Sequence, residues 1–407
     1  MKLVVTIYEE TFDAALRAIG TLSVADHDMI ELRAERLGAI DLRALRASTP
    51  KPIILTYRGM QADHAPAIEA GIDFVDVEWR PDLRLDLPRD RVVLSHHDFE
   101  GMDFDLDAMR ALGCAHTKIA VTPKTLGDNL RLLAAIDRGV SVIGMGERGL
   151  YSRILAPFLG SELAFVAASQ SAAPGQLSLD HALKIYGRKP RRAEHVFAIA
   201  GNPAGHSLSP SIHNPLFRER NVAAAYTIAS FETFDEIARA FERGDIRGLS
   251  ITAPFKEEAF AYAQRIGAHI RSNARECQAI NTLVRMRDGC IEADNTDVDG
   301  FAALIGAPKR VAIAGAGGTA RAARVAAERA GAEVTVFNRS EREFPVEPLE
   351  KIREFDGELI IDTLPVEIEL PKIRTIRASY KKNESTGLAL LQAQAIRQNE
   401  LFVEAIT

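Results

Sequence analysis

A short apolar run of strand-forming character recurs eight times between Lys2 and Ala168. The runs are Lys2–Ile7, Met29–Arg33, Pro52–Arg58, Phe74–Trp79, Val92–His97, Thr117–Val121, Ser141–Met145 and Leu163–Ala168. Helix-period segments such as Phe12–Ile19, Leu106–Ala111 and Leu126–Asp137 fill most of the intervals. Strands that alternate with helices run parallel, because each helix returns the chain to the end where the next strand starts. Eight such units predict an α/β fold closed into a (β/α)8 TIM barrel, small for its kind. An open doubly wound sheet shares the periodicity and is the alternative.

The chain continues well beyond these units, to 407 residues. Tyr186-Gly-Arg-Lys-Pro-Arg-Arg-Ala-Glu194 is charged and contains Gly and Pro, so it reads as a linker whose basic residues solvate it. A new α/β pattern opens with Val196-Phe-Ala-Ile-Ala200 and the turn Gly201-Asn-Pro203. Lys plus Arg number 50 against 56 Asp plus Glu, a net charge of −6, which argues against a nucleic-acid binder. No apolar run approaches the ~20 residues that span a bilayer, and residues 1–10 lack a signal peptide's apolar core. Cys114, Cys277 and Cys290 are scattered without metal-ligand spacing, so a cytoplasmic protein with no metal is expected.

Polar residues stand at the C-terminal ends of the apolar strands, the face on which such barrels build their sites. These ends read Glu31-Leu-Arg33, Thr56-Tyr-Arg58, Asp76-Val-Glu78 and Ser95-His-His97-Asp-Phe, and Ser152-Arg153 follows the seventh strand. Arginines from separate strands, with a histidine and a lysine, fit an anionic, hydroxylated small molecule. Lys118 lies inside the otherwise apolar Thr117-Lys-Ile-Ala-Val121. In its neutral form a lysine amine attacks a ketone and forms an imine, which acts as an electron sink for removal of the neighbouring proton. His97, one strand earlier, has the right ordinary pKa to take that proton and return it to a leaving hydroxyl. His96 and His97 point to opposite faces of their strand, so they cannot hold one metal together.

These segments, with Lys2-Leu-Val-Val-Thr-Ile7 and Ala173-Pro-Gly-Gln176, resemble type I 3-dehydroquinate dehydratase in the same order across nearly all of residues 1–185. The resemblance implies Lys118 as the Schiff-base lysine and His97 as the general acid/base. It also implies Thr6, Glu31, Arg33, Arg58, Arg153 and Gln176 as substrate contacts, with the arginines answering a carboxylate. The family's histidine-orienting glutamate, in a Glu-Gly-Gly segment after the third-strand arginine, has no counterpart in Gly59-Met-Gln-Ala-Asp63. Asp63, Asp76 or Glu78 would have to substitute. The family often has Ser-Ala-Pro-Gly-Gln where this chain has Ala172.

The second half carries a cofactor signal. The strand Val311-Ala-Ile-Ala314 leads into Gly315-Ala316-Gly317-Gly318-Thr319-Ala320 and the helix-like Arg321–Arg329. A G-x-G-x-x-A turn between strand and helix lets backbone N–H groups approach a pyrophosphate. The next strand, Glu333–Phe337, ends in Asn338-Arg339-Ser340-Glu-Arg342, where arginines suit the 2′-phosphate of NADP (NADPH when reduced) and a carboxylate would suit NAD. Upstream, Ser207-Leu-Ser209 offers hydroxyls. Ser250-Ile-Thr252-Ala-Pro-Phe-Lys256 is read as a strand ending in a lysine, and Asn281-Thr-Leu and Asp294-Asn-Thr-Asp297 add an amide and a carboxylate. A Lys–Asp pair can move a proton to or from an alcohol oxygen while hydride moves at the nicotinamide.

These motifs resemble shikimate dehydrogenase across residues 196–407. The resemblance implies Lys256 and Asp297 as the catalytic pair and Ser207, Ser209, Thr252, Asn281 and Gln394 as substrate contacts. Gly387 stands upstream of Gln394 like the family's C-terminal helix start. Ser379-Tyr380 takes the place of a Tyr-Asn-Pro segment, with Tyr380 as a further substrate contact, in a nucleotide region shorter than the family's. Expected boundaries are residues 1–188 for the barrel, 195–300 plus 387–407 for a substrate lobe, and 301–386 for a Rossmann lobe. The combined expectation is a bifunctional enzyme that dehydrates 3-dehydroquinate to 3-dehydroshikimate and reduces it to shikimate, with small-molecule partners. A quinate/shikimate dehydrogenase fusion is one alternative, against which Ser209 speaks. A non-enzymatic quinate-pathway regulator is the other, against which the retained Lys118, His97, Lys256 and Asp297 speak.

Overall fold

The structure is a computed structural model that describes residues 1–60, 62–379 and 385–407. Packing divides it into two compact units, Met1–Glu194 with Gly205–Phe231, and His195–Ala204 with Glu232–Thr407.

The first unit is built on β1 (Lys2–Ile7), α1 (Phe12–Thr21), β2 (Met29–Arg33), α2 (Leu42–Ala47), β3 (Ile53–Thr56), α3 (Ala65–Glu69), β4 (Phe74–Glu78) and β5 (Val92–Asp98). It continues through α4 (Leu106–Ala111), β6 (His116–Val121), α5 (Leu126–Ala134), β7 (Val140–Gly144), α6 (Leu150–Leu159), β8 (Leu163–Ala167) and α7 (Leu179–Tyr186). All eight strands pair in parallel in the order β7-β6-β5-β4-β3-β2-β1-β8, a nearly closed barrel. Only a 3-10 turn at Arg89–Arg91 links β4 to β5. At the seam between β7 and β8, serine side chains replace a ladder. Leu163 N–H donates to Ser141 Oγ (2.8 Å) and Val142 N–H to Ser161 Oγ (3.3 Å).

Strand periodicity explains the polar floor of the barrel. Val4, Met29, Ile54 and Val93 form an inner apolar cluster with Ala120, Ile143, Met145, Leu163 and Phe165. The residue two further along a strand faces the same way. Thr6, Glu31, Thr56 and Ser95 therefore form a polar layer directly above that cluster. Local caps hold the starts of two of the helices: Thr125 and Asp128 form a reciprocal capping box on α5, and Ser178 accepts from His181 N–H on α7. The segment Gly205–Phe231, which packs with the barrel, supplies α8 (Ser209–Glu219) and β10 (Ala224–Ser230).

The second unit opens with β9 (His195–Gly201). From Glu232 onward it contains α9 (Phe234–Arg243), β11 (Gly248–Ile251), α10 (Lys256–Arg265), β12 (His269–Ile270), α11 (Ser272–Cys277), β13 (Thr282–Arg285), β14 (Ile291–Asp294) and α12 (Asp297–Ile305). The strands of this part are ordered β9-β11-β13-β14-β12. Then follow β15 (Arg310–Ala314), α13 (Gly318–Arg329), β16 (Glu333–Asn338), β17 (Glu347–Pro348), β18 (Leu359–Asp362), β19 (Thr375–Arg377) and α14 (Ser385–Glu404). These strands make a wholly parallel sheet, β17-β16-β15-β18-β19. An alanine-rich face of α13 (Ala320, Ala323, Ala327) lies in its core with Val311, Ile313 and Ile361. Among the described residues no helix is long and apolar enough to cross a membrane.

Candidate active sites

The barrel's polar layer converges on Lys118, which is 4% exposed. Its Nζ donates to Asp76 Oδ2 (2.9 Å) and Glu31 Oε1 (3.3 Å) and lies 4.3 Å from the centre of the Phe165 ring. Glu31 is fixed by Thr6 Oγ1 (2.8 Å) and Thr56 Oγ1 (3.1 Å), and Gln176 Nε2 donates to Thr6 Oγ1 (3.1 Å). Burial alone would raise the Asp76 and Glu31 carboxyls. Lys118 leads the attractions that instead hold both below the ordinary carboxylate range, helped by Arg58 at Asp76 and by Arg33 at Glu31.

His97 faces the same cavity, while His96 points away, its Nε2 at Asp103 O (2.8 Å) and its ring edge-on to Trp79. Glu78 grips His97 twice, accepting its backbone N–H (2.8 Å) and meeting its Nδ1 (2.9 Å). Of the three carboxylates that the sequence left open for orienting the histidine, Glu78 is the one in contact. Asp63 accepts Ala65 N–H beside the start of α3, and Asp76 serves Lys118 and Arg58. Arg58 Nη1, which can only donate, lies 3.0 Å from the same His97 nitrogen, so Glu78 and Arg58 compete for the tautomer of the ring. Burial, reinforced by Arg58 and Lys118, holds the imidazole below its ordinary pKa, although the Glu78 hydrogen bond pulls upward.

The arginines differ in a way the sequence does not show. Arg33 pairs with Glu35, and Arg58 pairs with Asp76 and Glu78. Arg153, 8% exposed, has no carboxylate partner among the described residues and donates only to Pro174 O (2.9 Å). Burial pushes its pKa down to about 10. An unpaired buried guanidinium is costly, and this one lines the same cavity as Lys118, His97, Arg58 and Gln176.

In the second unit Lys256 and Asp297 are joined directly and are 9% and 7% exposed. They do not end strands, as their sequence setting implied. Each is the first residue of a helix, α10 and α12, because Pro254 follows the end of β11 and Asn295-Thr296 turns the chain after β14. Asn281 Nδ2 donates to Asp297 Oδ1 (2.9 Å) and Thr296 Oγ1 (3.0 Å), and α14 brings Gln394 Oε1 to within 3.3 Å of both Asn281 and Thr296. Thr252 abuts Gly201, where a Cβ would come within 2.3 Å of the threonine methyl. Ser207 and Ser209, whose hydroxyls are 3.1 Å apart, sit in the segment that packs with the barrel.

The glycine turn after β15 fits a phosphate. Gly315 has φ +104°, and a Cβ there would lie 2.5 Å from Thr363 Oγ1. Gly317 precedes α13 with no side chain to cap the first amides, and a Cβ on it would meet nothing within 4 Å. Open amides at a helix start are a ready anion site. Thr319 Oγ1 accepts from Lys256 Nζ (2.9 Å), so the turn also touches the lysine. Asn338 bonds Ser340 O (2.8 Å). Arg339 and Arg342 are both exposed, and Arg342 lines an open recess with Arg321, Glu257, Glu341 and Glu343. Gly387 is buried in α14, and Tyr380 lies outside the described residues.

Residues 3–189 match the family Type I 3-dehydroquinase, and residues 199–283 match the shikimate dehydrogenase substrate binding domain. The chain joins a type I 3-dehydroquinase domain to a shikimate dehydrogenase domain. It is 27% identical over 391 residues to the shikimate biosynthesis protein AroDE of Chlamydia pneumoniae, covering 84% of this chain and 80% of that one. It is 28% identical over 369 residues to the chloroplastic bifunctional 3-dehydroquinate dehydratase/shikimate dehydrogenase of Arabidopsis thaliana, covering 77% of this chain and 60% of that one. The pentafunctional AROM polypeptide of Eremothecium gossypii is 31% identical over 337 residues, covering 70% of this chain and 20% of that one. The chain thus spans less than two thirds of the plant and fungal proteins. Among solved structures, the dehydroquinate dehydratase and shikimate dehydrogenase from S. pombe AroM is 22% identical, covers 98% of this chain and 95% of that chain, and has a TM-score of 0.40.

In the dehydroquinase domain Thr6, Glu31, Arg33, Arg58, His97, Lys118, Arg153 and Gln176 line the cavity or touch a residue that does, whereas His96 and Asp63 are engaged elsewhere. Asp76 as a direct partner of Lys118 was the missing member, although it shares a strand face with Glu78. In the shikimate dehydrogenase domain Gln398 and Arg321 had no assigned part, and Thr319 of the glycine turn has a contact that its motif did not announce. Thr319 touches Lys256, Gln398 bonds Ser250 and Asn281 through both ends of its amide, and Arg321 is the second cation beside Arg342.

Proposed function

We propose that the chain catalyses two consecutive steps, dehydration of 3-dehydroquinate and NADPH-dependent reduction of the resulting 3-dehydroshikimate to shikimate. The observation that carries this reading is a buried amine, Lys118, sharing a cavity with His97 and an uncompensated Arg153. Arg153 takes the substrate carboxylate. Lys118 Nζ attacks the ketone and the carbonyl oxygen leaves as water, giving an imine. His97, in the tautomer that donates Nδ1–H to Glu78, removes the adjacent carbon-bound proton through Nε2 and delivers it to the departing hydroxyl. Hydrolysis of the imine then frees the lysine, and the net change is loss of one water. Because burial keeps the imidazole below its ordinary value of 6.5, the acid limb of the dehydratase kcat/KM profile should fall below pH 6.5. A limb above pH 7 would assign it to another group.

For the second step NADPH supplies a hydride when bound. The amides after Gly315, Ala316, Gly317 and Gly318, with Thr319 and Ala320, would hold the pyrophosphate, and Asn338, Arg339, Ser340 and Arg342 the adenosine end. Lys256 donates a proton to the carbonyl oxygen as it gains charge, and Asp297 keeps the ammonium aimed. Asn281, Gln394, Thr252, Ser207 and Ser209 bind the hydroxyls and carboxylate, Tyr380 completes that set, and Gly387 belongs with the cofactor contacts. We assign residues 1–188, 195–300 plus 387–407, and 301–386 to the barrel, substrate and nucleotide parts of a cytoplasmic enzyme. Neutralising both Arg339 and Arg342 should raise the KM for NADPH much more than that for NADH. Equal rises would remove them from the 2′-phosphate site. The decisive assay supplies 3-dehydroquinate and NADPH and follows enone absorbance, NADPH loss and shikimate together. Enone accumulation without NADPH loss would leave only the first step, and oxidation of quinate in preference to shikimate would favour the quinate alternative.

A further inference from the structure

Glu147 belongs to neither set of motif residues, yet it reaches from the barrel to the turn that carries Ser207 and Ser209. It lies in the loop between β7 and α6, immediately before the helix that bears Arg153. Its Oε1 accepts Gly205 N–H (2.9 Å) and the hydroxyl of Ser230 (2.6 Å), at the end of β10. The approach is close, because a Cβ on Gly205 would stand 2.8 Å from Glu147 Cγ. Two residues on, Ser207 Oγ accepts Ser209 N–H (3.2 Å) and meets Ser209 Oγ (3.1 Å), so a shift of Gly205 is passed to both hydroxyls through a short turn. On the other side, Gly146 N–H donates to Pro174 O (3.2 Å), within the loop that leads to Gln176.

We propose that Glu147 is a positioning residue for the second reaction: a barrel carboxylate that holds the Gly205–Ser209 turn in the conformation its serines need to grip the dehydrogenase substrate. The proposal rests on the shikimate dehydrogenase reading of Ser207 and Ser209. A carboxylate suits the task because one oxygen accepts from a backbone amide and a hydroxyl at once, and hydrogen bonds to an ionised acceptor are the stronger kind. It acts on binding and not on the transferred proton, so its loss should appear in KM and leave kcat in place.

The test uses the full-length chain with Glu147→Ala and Glu147→Gln. The alanine variant should raise the KM for shikimate about tenfold, the scale of one charge-assisted hydrogen bond, with kcat, the KM for NADP and dehydratase activity within twofold of the parent. The glutamine variant keeps a carbonyl oxygen for the same two donors and should recover most of the loss. Amide hydrogen exchange over the peptide containing Gly205–Ser209 reads the tether without reference to activity, and it should quicken in the alanine variant only. Unchanged exchange and an unchanged shikimate KM in Glu147→Ala would overturn the proposal, as would a fall confined to kcat. Absence of shikimate oxidation in the parent chain would sink the dehydrogenase reading instead, and the exchange measurement would still decide whether Glu147 holds the turn.

Discussion

Lys118→Ala is expected to lower dehydratase turnover by roughly a thousandfold or more, the scale lost when a covalent nucleophile is removed. Borohydride added with 3-dehydroquinate should trap an adduct on Lys118 in the parent chain and none in the variant. His97→Ala should still form the adduct while losing turnover, because imine formation and proton transfer are separate tasks. Lys118→Ala also leaves Glu31 and Asp76, both buried, facing each other without their shared ammonium. Breaking a buried ion pair from one side costs about 3–5 kcal/mol, so the variant should melt earlier. Shikimate dehydrogenase activity in the same preparation reports how much intact chain is present. A variant that retains more than a tenth of the parent rate, a barrier change under ~1.4 kcal/mol, would remove Lys118 from the chemistry.

Lys256→Ala should lower the turnover number for shikimate oxidation by about a hundredfold or more, the usual worth of a positioned general acid/base. The KM values for shikimate and NADP should change little, since the proton transfer gains its value in the transition state. An exposed ion pair would contribute at most ~1 kcal/mol and nothing to turnover, but Lys256 and Asp297 are both buried and Lys256 also meets Thr319. Dehydratase activity in this variant should be that of the parent. A fall of less than tenfold would assign the proton to another group.

The barrel was legible because its strands are apolar and their exceptions are few. Lys118 and His97 stand out in such a sequence, and their shared inward face follows from a period of two. Glu78 could not be separated from Asp63 and Asp76, because sequence order says nothing of which partner a carboxylate is diverted to, as Asp63 is to Ala65 N–H and Asp76 to Lys118. Lys256 and Asp297 were placed at strand ends, although Pro254 marks a break from the strand and an acidic first residue suits a helix start. Gln398 left no mark at all, and Thr319 was marked only as part of the glycine turn. A threonine inside a glycine turn and a glutamine on a helix are ordinary residues there, and only the tertiary approach of Lys256 and Ser250 gives them work. The imbalance among Arg33, Arg58 and Arg153 is likewise a property of neighbours far apart in the chain.

The serine-bridged seam between β7 and β8 gives the barrel something that a complete ring of ladders lacks, namely two edges. Edges are where a sheet recruits a foreign strand. Here the hydroxyls of Ser141 and Ser161 occupy amides on the facing segments, so those donors are not on offer. A ladder parts cooperatively, whereas two side-chain clasps can be undone singly. Either serine replaced by alanine should therefore leave the eight-stranded ring standing while speeding solvent exchange at one amide, Leu163 or Val142. The zip of the cylinder is thereby set apart from its wall, and it is the place where breathing of the ring would start.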